Sequence, residues 1–349
     1  MSASGWSGVR NLLAVRLDSL GDVLMTTPAL RAFKETLGCR MTLLTSPSGA
    51  GAARHVPEVD DTLAFLAPWM KAAGAAPTAD AALIESLRAR AFDAAVIFTV
   101  YSQNPLPAAY LCLLAGIPRR LAHCRENPYQ LLTDWQPEPE PERLVRHEVQ
   151  RQLALAACVG CRASGEGLSF AVPDAARRRV GALRLRRGYI VVHPGASAPS
   201  RRYPPEQFAC AMDLLATQTG REIVFTGEAH ERPLVEQIRA AMLSPARSCA
   251  GRLDLGELGA LIEAADLLVC NNTGPAHVAA ALGTPVVDLY ALTNPQHTPW
   301  QVRSRVLYHD VPCRNCYKSI CPKGHHDCLR RVAPERVAAA GRELLETAC

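Results

Sequence analysis

Residues 266–290, DLLVCNNTGPAHVAAALGTPVVDLY, read as strand, tight loop, short helix and strand. DLLVC is an apolar run of strand length, and Asn271 and Asn272 break it. Thr273-Gly274-Pro275 then opens a helix, where the missing N–H of proline costs nothing in the first turn. HVAAAL continues the helix, Gly283 stops it, and PVVDLY is a second buried strand. Free amides at the start of such a helix, beside a glycine that permits close approach, form an anion site. His277 sits one turn further in and can face the same ligand. A diphosphate cradle at the carboxyl edge of a parallel sheet and an ordinary strand–helix unit that binds nothing both fit this stretch taken alone.

The same alternation fills the rest of the chain. LLAVRL (12–17) is a strand, the loop Asp18 to Asp22 follows, and a helix runs through Leu37. Gly21 frees the backbone of that loop and Asp22 stands at the helix entrance; the spacing is not GxGxxG, so no dinucleotide site follows from it. Strands at 40–46, 62–66, 94–100 and 119–123 alternate with helices at 81–90 and 105–115. QPEPEPER (136–143) reads as a loop and Leu144–Cys158 as a long helix. Residues 160–188, rich in Gly and Arg, form the domain junction. A second alternation then begins, with strands at 189–195 and 222–227, helices at 204–219, 230–242 and 255–265, and a final amphipathic helix from Pro334. The expected division is 1–172, 188–333 and a C-terminal helix at 334–349. Two such halves suggest two parallel sheets, an α/β chain.

A chain of 349 residues exceeds one typical core and suits two domains. With 48% hydrophobic and 20% charged residues it has the composition of a globular protein rather than a disordered one. A net charge of +5 suits anionic ligands or an acidic membrane surface and is too small to argue for nucleic acid. No apolar run reaches the roughly 18 residues of a membrane span, and the N-terminus lacks the apolar segment and cleavage site of a signal peptide. The expected location is the cytoplasm. Thirteen cysteines, an odd number mostly scattered in apolar runs, argue against a disulfide framework.

Three further stretches carry chemistry. HPGASAPSRRYP (193–204) leaves a strand and precedes a helix. Gly195, Ala196 and Ser197 are small enough to let amides reach a phosphate, and Arg201 and Arg202 supply charge; a polar loop with solvated arginines is the alternative. Asp18 and Asp22 lie on a strand-end loop, where a carboxylate can take a proton from an acceptor hydroxyl. The commoner role of Asp at a helix start is the N-cap, and the helix dipole weakens Asp22 as a base. His277 is a second candidate base. Finally, CRNCYKSICPKGHHDC (313–328) holds Cys313, Cys316, Cys321 and Cys328 with His325 and His326. Four thiols in a short loop resemble a structural zinc site, although C-x2-C-x4-C-x6-C is not a standard finger; packing thiols are the alternative.

Together these stretches resemble glycosyltransferase family 9, the ADP-heptose:lipopolysaccharide heptosyltransferases. The resemblance is carried by VRLDSLGDVLMTTPALRAF, VVHPGASAPSRRYPPEQF and NNTGPAHVAAALGTPVV, in that order over most of the chain. It implies a GT-B architecture of two Rossmann-like domains with parallel sheets facing a central cleft, the acceptor on the first and the donor on the second. By motif, Asp22 falls on the catalytic base, Arg201 on a phosphate-binding position and Thr273, Gly274 and His277 on the diphosphate loop. Glu231 falls on the ribose contact, with Gly195, Ala196, Ser197, Thr226, Gly227 and Asn272 completing the donor side. Asp18, Ser19 and Gly21 fall on the acceptor side. Asn272 stands where the family usually has Asp, and Tyr203 where Trp is common.

The implied reaction is inverting transfer of heptose, or a related sugar, from a nucleoside diphosphate sugar to a lipopolysaccharide core acceptor. It requires no cofactor beyond the candidate structural zinc and no nucleic acid. The lipid acceptor implies peripheral contact with the cytoplasmic face of the inner membrane. Two other readings compete. A nucleotide-sugar epimerase of similar fold would convert the donor without an acceptor. A non-catalytic nucleotide-sugar-binding module is opposed by the intact Asp22 and left open by Asn272.

Overall fold

The computed structural model describes residues 5–70 and 77–346. The chain divides into two compact units, Met1–Ser169 and Phe170–Cys349. The first contains β1 (Asn11–Arg16), α1 (Leu20–Leu37), β2 (Arg40–Thr45), α2 (Pro47–Ala53), β3 (Asp61–Ala64), α3 (Pro77–Ala89), β4 (Ala94–Ile97), α4 (Leu106–Leu114), β5 (Arg119–Cys124), β6 (Asp134–Pro137) and α5 (Glu148–Ala157). The second contains α6 (Asp174–Gly181), β7 (Ile190–His193), α7 (Pro205–Thr219), β8 (Ile223–Phe225), α8 (Arg232–Ala241), β9 (Ala246–Ser248), α9 (Leu255–Glu263), β10 (Leu267–Asn271), α10 (Gly274–Leu282), β11 (Val286–Leu289), β12 (Ser304–Leu307), α11 (Asp327–Arg330) and α12 (Pro334–Glu346).

Each unit is built on one six-stranded sheet, ordered β3-β2-β1-β4-β5-β6 in the first and β12-β11-β10-β7-β8-β9 in the second. All the pairings are parallel. Counted from the first strand of each unit, both orders are 3-2-1-4-5-6, the doubly wound arrangement. In it, ligands bind beyond the carboxyl ends of the strands where the order reverses. Those strands are β1 and β4 in the first unit, paired through Val15 and Ile97, and β7 and β10 in the second, paired through Val192 and Val269.

The inner strands are largely apolar, buried runs because helices cover both of their faces. In the first unit Leu13, Val15, Ile97 and Ala122 pack with Leu87, Ala109 and Cys112 from α3 and α4. In the second, Val192, Phe225, Val269 and Leu289 pack with Phe208, Met212 and Leu215 of α7. Val337, Ala338 and Leu344 of α12 complete that cluster, so the C-terminal helix is part of the second core. Residues 347–349 of that expected segment lie outside the described residues. α10 ends as its sequence requires: Gly283 sits at φ 78°, a left-handed position that costs a side chain strain.

Several expectations need correction. The Pro/Glu-rich stretch expected as loop begins with the edge strand β6, and the helix expected from Leu144 begins only at Glu148. The junction contains α6, whose Arg177 pairs with Glu263 of α9 at 2.7 Å. Gly21 is not a loop hinge: it is the second residue of α1 and is absent from the positive-φ glycines among the described residues.

Candidate functional site

In the first unit, a fully buried cation organises the end of β1. Arg16 is 0% exposed and divides its guanidinium among three carboxylates. Its Nε lies 3.1 Å from Asp18 Oδ2, its Nη2 3.1 Å from Asp22 Oδ1, and its Nη1 2.9 Å from Glu148 Oε1 on α5. The other oxygen of Asp22 accepts hydrogen bonds from the Ser19 amide (3.1 Å) and the Ser19 hydroxyl (2.6 Å). Asp22 therefore closes the first turn of α1 and also faces Arg16. Asp18 Oδ1 accepts from Gln103 Nε2 at 2.6 Å. Burial pushes the Asp18 carboxyl up to about 6, against the pull of Arg16 and with a further push from Asp22. Beside Asp18 opens a cavity of about 280 Å³ whose lining includes Leu17, Trp69, Gln103, Asn104 and Pro107. Its apolar walls and few polar groups have the character of a small-molecule site.

In the second unit, Asn271 at the end of β10 ties two loops together. Its Oδ1 accepts from the Tyr203 amide at 3.1 Å and its amide donates to the Pro194 carbonyl at 2.6 Å. This brings the 194–203 loop beside the start of α10, for which Thr273 is the N-cap. The exposed Ser197 and the half-buried Arg201, Arg202, Thr273 and Gly274 present the accessible polar surface of these loops. Arg202 Nε donates to the Ala196 carbonyl at 2.8 Å. Asn272 and His277 are buried, each 3% exposed.

Gly195 makes room within its own unit. A Cβ there would stand 1.9 Å from Glu231 Oε1, so the missing side chain makes room for a carboxylate of the same unit. Glu231 is 7% exposed, accepts from the Glu228 amide at 2.8 Å and packs against Gly227. His193 completes this knot, with Nδ1 3.1 Å from Thr226 Oγ1 and Nε2 3.8 Å from Glu231 Oε2. Burial lowers the affinity of His193 for a proton, and Glu231 opposes that.

In the cysteine loop two of the expected ligands approach each other. Cys313 Sγ lies 3.7 Å from His325 Nε2, and the other three thiols add to the burial that pushes Cys328 up. Yet among the described residues no group of three or more His, Cys, Asp or Glu is arranged to hold a metal ion, Cys313, Cys316, Cys321 and Cys328 included. What the loop does is brace the phosphate-loop candidate. Ser200 donates from its amide to the Ser319 carbonyl (3.0 Å) and from its hydroxyl to the Lys318 carbonyl (2.7 Å), and its own carbonyl faces His326 Nε2 at 2.6 Å. Metal analysis of the purified chain decides the matter. About one ion per chain, with a melting temperature lowered by a chelator, would establish the zinc reading; metal-free protein of unchanged stability leaves a packed thiol loop.

The sequence model of glycosyltransferase family 9 (heptosyltransferase) matches residues 81–326. The chain belongs to this family. The lipooligosaccharide heptosyltransferase 2 of Haemophilus influenzae is 29% identical over 280 residues, covering 75% of this chain and 78% of its own. The lipopolysaccharide heptosyltransferase 2 of Salmonella typhimurium is 26% identical, covering 96% and 98%. Among solved structures, the ADP-heptose lipopolysaccharide heptosyltransferase II of Escherichia coli superposes with a TM-score of 0.76 at 25% identity, over 97% of this chain and 99% of that one. A family 9 protein from Veillonella parvula reaches 0.82 at 22% identity, over 97% and 98%. This family 9 enzyme is thus a glycosyltransferase of GT-B fold.

Three groups in the enzyme escaped the sequence reading. Arg16 and Glu148 are both completely buried, and so is Asp288 on β11. Neither oxygen of Asp288 has a hydrogen-bond partner, and burial pushes the carboxyl up to about 8 although Arg201 pulls it down. A charge inside an apolar strand run, as in LLAVRL or PVVDLY, was the available signal for two of them.

Proposed function

We propose that this enzyme transfers heptose from a nucleoside diphosphate heptose, ADP-heptose in the first instance, to a lipopolysaccharide core acceptor. Family membership and the names of its relatives support the reaction class. The observation that carries the donor reading is the joining of the 194–203 loop to the N-terminus of α10 by Asn271. Both loops leave the carboxyl edge of the second sheet, one carrying Arg201 and Arg202 and the other opening α10, where a diphosphate is favoured. In the reaction, an acceptor hydroxyl oxygen forms a bond to the anomeric carbon. The bond from that carbon to the phosphate oxygen breaks, and the nucleoside diphosphate leaves with the electron pair. Asp22 takes the hydroxyl proton, and Arg201 with the α10 amides stabilises the charge developing on the leaving group.

The cavity lined by Asp18 is the candidate place for an acceptor sugar. No described helix is long and apolar enough to cross a membrane, and we assign the enzyme a peripheral contact with the membrane that carries its acceptor. Replacing Arg201 by Ala should weaken nucleoside diphosphate binding about 10-fold or more through loss of a charge-assisted contact. Calorimetry checks this, and unchanged affinity would remove Arg201 from the donor site. Incubation of the donor alone separates transfer from epimerisation, since only an epimerase converts the sugar without an acceptor.

A further inference from the structure

We propose that Arg16 and Glu148 act as a buried clamp that positions the Asp22 and Asp18 carboxylates and balances their charge. The inference rests on the assignment of Asp22 as the base. Its ground is the geometry of one side chain. Guanidinium is a rigid planar fork, and here Nη1 donates to Glu148 at 2.9 Å and Nη2 to Asp22 at 3.1 Å, while Nε stands 3.1 Å from Asp18 as an ion pair. Arg16 and Glu148 are both 0% exposed. Burying such a pair costs desolvation that the attraction barely repays, so it is a poor device for stability and a good one for fixing direction. With Nη1 anchored on Glu148, the fork cannot turn away from Asp18 and Asp22.

Glu148 is itself held from behind. Gln152, one turn on in α5, donates to Glu148 Oε1 and to the Thr99 carbonyl at 3.0 Å. Other charged groups stand around this network. Arg151 pairs with Glu138 and Glu140, and Arg146 pairs with Glu140 at 2.9 Å. His123 of β5 faces the Arg151 carbonyl and is kept neutral by burial, its affinity for a proton lowered to about 3. Arg146 and Arg151 pair with Glu138 and Glu140, and Arg16 pairs with Asp18, Asp22 and Glu148 together. Three carboxylates share one guanidinium, so a change in either clamp residue is felt by the others through it.

The two clamp residues therefore have opposite electrostatic effects on the reacting carboxylates. The Glu148 charge makes Asp18 harder to ionise and Arg16 makes it easier, and Asp22 faces the same guanidinium at 3.1 Å. A carboxylate base works above the pH at which it loses its proton. Glu148→Gln should thus move the acid limb of the kcat–pH profile down by about one unit. Arg16→Lys keeps a charge that cannot reach all three partners at once, and should move the limb up by about as much. Both should lower the plateau kcat by roughly 10-fold or more while leaving nucleoside diphosphate affinity at the wild-type value. General loosening of the fold cannot shift one limb in two directions, and melting temperatures taken alongside confirm that both variants are folded. Acid limbs that stay in place, or move the same way, in folded variants would overturn the clamp. Asp22→Asn, assayed in parallel, keeps the two questions apart. An active Asp22→Asn defeats the base assignment, whereas an inactive Asp22→Asn with unmoved limbs defeats the clamp alone.

Discussion

Asp22→Asn is expected to lose about 10²–10⁴ in turnover, the usual contribution of a positioned general base. Asparagine preserves the shape of the side chain and keeps an oxygen to accept from the Ser19 amide, so the first turn of α1 should survive. It cannot take a proton. Nucleoside diphosphate affinity should stay near wild type, because the donor contacts proposed above belong to the second unit. Single-turnover transfer to a lipopolysaccharide acceptor, with donor binding measured beside it, reads both quantities. If Asp22 were only a cap, the variant would turn over normally. Attention would then pass to His277, which is buried on α10 and would have to be uncovered to act.

The second large effect concerns stability and comes from Asp288. Its carboxyl is completely buried and holds its proton up to about 8, whereas in the unfolded chain it ionises near 3.8. Between these values the folded state binds a proton that the unfolded state has released. The contribution of Asp288 to stability therefore falls as pH rises from about 4 to about 8, and levels off above. Each unit of difference is about 1.4 kcal/mol, so the penalty at pH 8 is on the order of a few kcal/mol. Asp288→Asn has no proton to lose. Its melting temperature relative to wild type should climb steadily between pH 5 and pH 8. Parallel curves for the two proteins would show that Asp288 is not protonated in the fold.

The elements that were legible in sequence are those whose pattern is local. The opening stretch resolves into β10, α10 and β11 because its apolar runs, its proline and Gly283 each speak for their own few residues. β6, β9 and β12 were not legible. They are three- and four-residue strands, mostly half-buried, too short for a period to show. α6 lies behind consecutive arginines in a stretch whose Gly and Arg content reads as a junction. The site divides in the same way. The loops at 194–203 and 272–277 announce themselves by composition, but the use of Gly195 depends on Glu231, 36 positions further on. The partner of Arg16 is likewise set by packing: Glu148 looks like any acidic residue in the first turn of a helix until α5 docks.

The Arg16–Glu148 contact spans 132 residues of chain. A ribosome adding about 5–20 residues per second needs on the order of ten seconds to travel that far. During that interval β1 can already find β2, while its terminal arginine has no counter-charge from α5 and must stay hydrated. The carboxyl edge of the nascent sheet therefore cannot close when the sheet itself forms. Its two aspartates acquire their final setting only as the last helix of the first unit arrives, so the scaffold is assembled before its reactive corner. A nascent chain released before α5 has formed would carry the Asp22 loop complete in sequence and unset in geometry.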